Sequence, residues 1–212
     1  MTDLDTAPPR PGSSVIFLHE LDGDATSFAA QQELARDHTL IPWVAPAGDS
    51  IDEAADSVVT QLRAAGARST HVVGVSWGAA VAATVAVRHP DLVRSLVLVG
   101  SWSHESGPTD VFRAETHPTG FTEDADVIAA TEVAPELADI TAPTLVLCGA
   151  DETAAVWRGS QATAGSIADA VFVTINDASR RPHRENAEHF NAWVQSFLAI
   201  ADGFHVFEEA GA

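Results

Sequence analysis

A chain of 212 residues, 46% of them hydrophobic, is long enough to bury one sizeable core and reads as a single globular domain. Its formal net charge is −19, and its 11 basic residues are all arginine, so nucleic acid and anionic lipid would both be repelled. No apolar run reaches the length of a bilayer span, the acidic start Met1-Thr2-Asp3-Leu4-Asp5 has no signal-peptide pattern, and a lone Cys148 excludes an intrachain disulfide. These features lead us to expect a cytoplasmic protein.

Residues 1–14, with Pro8, Pro9, Pro11 and Gly12, read as a disordered lead-in to a domain over 15–201. The apolar run 15–19 is the first strand. A helix over 25–36 leads to a strand near 39–44, and a helix over 51–65 leads to the apolar run 71–75. An Ala/Val-rich helix follows as far as His89-Pro90, and 94–100 is a further strand. Between 101 and 140 the rhythm breaks into a stretch holding Trp102, His104, Phe112, His117 and Phe121, with a helix expected around 122–131. A connection this long points to a small cap or lid. The run from Thr144 ends at Gly149, just before Asp151 and Glu152, and 170–175 is the last strand. The last helix opens at 185–191, with Trp193, Phe197 and Ile200 spaced for its buried face, and 202–212 is an acidic tail. Strands alternating with helices in this way imply an α/β fold whose parallel sheet is covered on both faces, with its site at the carboxyl ends of the strands.

The strand at 71–75 ends in Gly74-Val75-Ser76-Trp77-Gly78, a Gly-x-Ser-x-Gly turn set between a strand and a helix. That context suits a nucleophile elbow, in which the glycines let strand and helix pass closely and the first helical amides, including that of Trp77, face a forming oxyanion. With these residues the chain resembles the α/β-hydrolase superfamily over 15–199. The resemblance implies a trimmed, mostly parallel sheet of about six strands. It also implies four site elements in chain order: oxyanion amides after the first strand, a serine, an acid and a histidine.

Mapped onto this chain, the resemblance makes Ser76 the nucleophile and Glu152, three residues beyond Gly149, the acid, with Asp151 as its rival. Aligning the family's Glu-Asn and Phe-Asn pairs on Glu185-Asn186 and Phe190-Asn191 puts Arg180 where the histidine belongs. With a pKa above ~12, arginine cannot take the serine proton. It is expected to pair with Glu152 or Asp151, or to swing toward Glu20 or Asp22. The family's His-Gly-x-Gly-Gly strip reads His19-Glu20-Leu21-Asp22-Gly23 here, so carboxylates stand where glycine amides would face an oxyanion. His183, and less directly His104, are the candidate substitute bases, while His19 is expected to support its loop. Trp77, Trp102, Trp157 and Phe121 line either an apolar pocket or the core.

Three functions stay open. One is serine-dependent hydrolysis of a small ester, thioester or lactone with a degenerate triad. Another is lyase, isomerase or cyclase chemistry using Glu20 or Asp22 with Arg180, and the last is a non-catalytic binder. The histidines have no paired ligand spacing and there is no dinucleotide glycine pattern, so neither metal nor cofactor is expected. The partner is a small molecule rather than nucleic acid or membrane, and the oligomeric state is left open.

Overall fold

The computed structural model describes residues 13–20, 23–46, 50–100 and 136–210. Leu21, Asp22, Trp102, His104, Phe121 and nearly all of the expected cap lie outside the described residues. Six strands form one sheet: β1 Ser14–Leu18, β2 Thr39–Ile41, β3 Thr70–Val75, β4 Val93–Val99, β5 Thr144–Gly149 and β6 Ala170–Ile175. Their order is β2-β1-β3-β4-β5-β6 and every neighbouring pair is parallel. β3 and β5 are buried along their whole length, as central strands covered on both faces must be.

Alternation along each strand sorts the core into two layers. Ile16, Leu18, Val72 and Leu96 pack with Val58 and Leu62 of α1 (Ile51–Ala64) and with Val81 and Val85 of α2 (Trp77–Arg88). Val15, Phe17, Val73, Val97 and Leu145 pack instead with Phe28, Leu34, Phe190, Val194 and Leu198 on the other face. Ser50 caps α1 through the amide of Glu53, and Thr153 caps α3 (Ala154–Ser166) through that of Val156. A short helix α4 (Pro182–Glu185) precedes α5 (Ala187–Ala210). Cys148 is buried in β5, and burial pushes its thiol up to about 11, so it behaves as a small hydrophobe.

Three elements differ from expectation. The segment Ala25–Arg36 is 3₁₀ rather than α, with a break at Phe28, and its three most buried residues, Phe28, Gln31 and Leu34, recur every three positions, the period of a 3₁₀ helix. β2 stops at Ile41, because Pro42 has no N–H to continue a ladder. The buried stripe of α5 is Phe190, Val194, Leu198 and Ala201. Trp193 and Ile200 are 48% and 57% exposed, and the helix runs on to Ala210 through most of the expected tail. Both stripes have helical spacing, and packing of Phe190 into the core selects the phase.

Glycines mark where backbones touch. A Cβ on Gly74 would lie 2.2 Å from the carbonyl oxygen of Gly78, and one on Gly149 would lie 2.1 Å from that of Ser179. Gly149→Ala is therefore expected to cost about 3 kcal/mol or more in urea denaturation, since only the main chain can yield there. Gly165→Ala, on an exposed position of α3 with nothing within 4 Å of the added carbon, should raise stability by up to about 1 kcal/mol.

Candidate active site

Ser76 follows the last residue of β3 and has φ 53° and ψ −117°, a left-handed backbone that costs a non-glycine residue on the order of 1–3 kcal/mol. Its amide donates to the Val99 carbonyl at 2.9 Å, and its own carbonyl accepts from the Ala79 amide at 2.9 Å. The N-terminal, positive end of α2 therefore begins at this residue. Ser76 is half-buried, and among the described residues its hydroxyl makes no capping bond to the helix.

The loop after β1 is pressed onto this turn. A Cβ on Gly78 would lie 2.2 Å from the Leu18 carbonyl oxygen and 2.7 Å from that of His19, so only glycine fits between them. His19 is buried, with Nδ1 2.7 Å from the Glu20 carbonyl oxygen and its ring 4.8 Å from that of Trp43, which stacks on Trp77 at 5.9 Å. His19 thus braces its own loop. The indole of Trp77, considered above as a pocket wall, is 1% exposed and belongs to the core, and Trp157 packs on Phe172.

Glu20 is 2% exposed. Its Oε1 lies 3.3 Å from Nε of Arg181 and 3.9 Å from Nη1 of Arg184. The guanidiniums that meet this carboxylate are therefore one and four residues beyond the one expected from sequence. Neither Glu20 oxygen has a hydrogen bond among the described residues, so the charge is held mainly by these two cations.

The loops after β5 and β6 lie side by side. The Asp151 amide donates to the Ala178 carbonyl at 2.9 Å and the Ala150 amide to that of Ile175 at 2.8 Å, while Gly149 touches the backbone at Ser179. The Glu185 carboxylate accepts from the amides of Ser179 and Arg181, clamping the turn that displays half-buried Arg180. Glu152 is half-buried with its Oε1 accepting the Thr153 amide at 2.9 Å, and Asp151 is exposed. Sequence reasoning missed Arg181, Arg184 and the clamp by Glu185. Glu185 was visible only as an alignment mark.

His183 is not presented to Ser76. It is fully buried, with its ring 5.1 Å from Phe28 and 6.0 Å from Phe190, and among the described residues neither ring nitrogen has a hydrogen-bond partner. Burial first, then the charges of Arg184 and Arg181, lower its pKa to about 3. Because the folded pKa lies below the ordinary value of 6.5, the unfolded chain takes up this proton first as pH falls. The stability it underwrites is present above pH 6.5 and is lost toward pH 3, at about 1.4 kcal/mol per pH unit. His183→Leu should remove that slope, so that urea unfolding finds its advantage over wild type about 2 kcal/mol larger at pH 5 than at pH 7.5. Equal slopes in the two proteins would place the titrating group elsewhere.

No helix among the described residues is long and apolar enough to cross a membrane. The "Putative carbamate hydrolase RutD" of Stutzerimonas stutzeri (strain A1501) is 25% identical to this chain, covering 90% of it and 93% of that protein. Among solved structures, NosK from Streptomyces actuosus superposes with a TM-score of 0.71 at 23% identity, covering 90% of this chain and 99% of that one. The enol-lactonase from Burkholderia xenovorans LB400 gives 0.71 at 20% identity, covering 90% and 92%. At these identities the two structures establish a shared fold. The family model described as "alpha/beta hydrolase fold" matches residues 26–139, more than half of the sequence, and the chain belongs to that family.

Proposed function

We propose that this chain is a serine-dependent hydrolase of a small ester, thioester or lactone, with a triad whose base position holds Arg180. The observation that carries this reading is the backbone of Ser76. A serine that merely capped a helix would use its hydroxyl on the helix and would have no need of φ 53°. Here the strain lifts a hydroxyl that does not cap α2 to the carboxyl edge of the sheet, at the positive end of that helix. Relatives named for carbamate and lactone chemistry support a small acyl substrate.

In this reading Ser76 Oγ adds to the substrate carbonyl carbon as its proton passes to solvent water, and the amide of Trp77 faces the oxygen as it becomes negative. Collapse breaks the bond to the leaving group, which takes a proton from water and departs as alcohol or thiol, and a second water then cleaves the acyl-enzyme to the free acid and returns a proton to Ser76 Oγ. Glu152, with Asp151 beside it, takes the place of the orienting acid. Arg180 stays cationic and stabilises negative charge, and it cannot carry the proton of Ser76. A positioned general base contributes about 10²–10⁴ in rate, so wild type should turn over slowly and Arg180→His should be faster by up to that factor.

Intact mass after exposure to a fluorophosphonate probe tests this on wild type, Ser76→Ala and Arg180→His. Slow labelling of wild type, faster labelling of Arg180→His and none of Ser76→Ala is the expected pattern. The buried Glu20 carboxylate beside half-buried Arg181 favours a second reading, acid-base chemistry of lyase, isomerase or cyclase type with Glu20 as proton carrier. Labelling confined to Arg180→His would overturn the hydrolase reading in favour of this second one.

A further inference from the structure

At the amino end of the sheet, about 16 Å of strand β3 away from Ser76, four distant segments converge. Ser13 precedes β1, His38 precedes β2, His71 lies at the start of β3, and Asp202 is on α5. The Ser13 hydroxyl oxygen is 3.0 Å from His38 Nδ1, 2.9 Å from His71 Nε2 and 2.7 Å from Asp202 Oδ2. His71 Nε2 is also 3.1 Å from Asp202 Oδ1, and the rings of His38 and His71 meet edge to face at 5.7 Å. Both histidines are buried, at 8% and 0% exposure, and one ligand atom from each of His38, His71 and Asp202 lies within 4.8 Å of the others.

We propose that His38, His71 and Asp202 form a binding site for a divalent transition metal of the zinc type, with the Ser13 hydroxyl or a water as fourth ligand. Three donor atoms already point at one position, that of the Ser13 oxygen, which swings aside as the metal enters. Shortening these contacts of 3.0, 2.9 and 2.7 Å by about 0.6–0.9 Å gives the 2.0–2.2 Å of a zinc–nitrogen or zinc–oxygen bond. Two imidazoles and one carboxylate suit a borderline cation and not calcium or magnesium, which take oxygen ligands.

The surrounding groups are those a ligated site needs. Ser95 Oγ lies 2.7 Å from His71 Nδ1, a partner that fixes the ring with Nε2 toward the cluster. Arg94 Nη1 lies 3.1 Å from Asp202 Oδ1 and opposes a cation at that oxygen. Oδ2, which faces Ser13, is therefore the metal-binding oxygen, and Arg94 stays as its outer partner. A metal here ties the start of β1, the entry to β2 and helix α5 to the central strand, a structural role remote from the serine. Ligands so far apart in the chain have no spacing that a sequence scan could find.

Tag-free protein, stripped with EDTA and desalted, would be titrated with Zn²⁺ against a chromophoric chelator, with bound metal counted by mass spectrometry. One zinc per chain and a raised Tm are expected. Asp202→Asn and His38→Gln should each weaken binding at least 100-fold, while His189→Gln, on an exposed position of α5, should leave it unchanged. Absence of zinc binding in wild type would overturn the site, as would equal binding by both ligand variants. Should those variants not fold, Co²⁺ in wild type decides. Intense tetrahedral d–d bands support the ligand set, and their absence refutes it.

Discussion

The carboxyl edge of the sheet is built on main chain meeting main chain. Gly74 lies against Gly78, Gly78 against the carbonyls of Leu18 and His19, and Gly149 against those of Ala178 and Ser179. Each contact is closer than a Cβ would allow, so the loops that follow β1, β3, β5 and β6 cannot drift apart without breaking strand packing as well. Ser76 is held in its left-handed backbone by this crowding and by its amide bond to Val99. The strain is local and the scaffold that tolerates it is not.

Within that frame a charge is buried at a cost. Moving a carboxylate out of water costs several kcal/mol unless a partner compensates it, and Glu20 has two arginines but no hydrogen bond among the described residues. These ion pairs fasten the loop after β1 to the start of α4. Glu20 also places a fixed negative group where a glycine strip would leave only amides.

Much of this was legible in the chain. Apolar runs ending in glycine or serine locate β3, β4 and β5 and the loops beyond them, because a buried parallel strand must be apolar on both faces. The face of α5 was not legible, since Trp193, Phe197 and Ile200 keep helical time as well as Phe190, Val194 and Leu198 do. Only the sheet beneath decides between them. Nor could the sequence say which arginine meets Glu20. Arg180, Arg181 and Arg184 lie within five residues, and the clamp by Glu185 on the amides of Ser179 and Arg181 sets which way each points. His183 looked available for the same reason. Its place in the chain is close to Arg180, but the turn of α4 carries it into the layer of Phe28 and Phe190.

The two ends of β3 are mechanically related. At the amino end Ser14 pairs with Thr70 and their hydroxyls lie 2.9 Å apart, while His71 is fixed by Ser95, Ser13 and Asp202. The same β1–β3 register places Leu18 opposite Gly74 at the carboxyl end, the pairing that brings the backbone of His19 to the turn at Gly78. A slip of one residue would turn Val15 and Phe17 to the wrong layer and carry the loop after β1 away from Gly78. Polar side chains far from the serine thus help to set where the loop meets it. A change at His71 or Asp202 would reach the site through strand register, without contact with substrate.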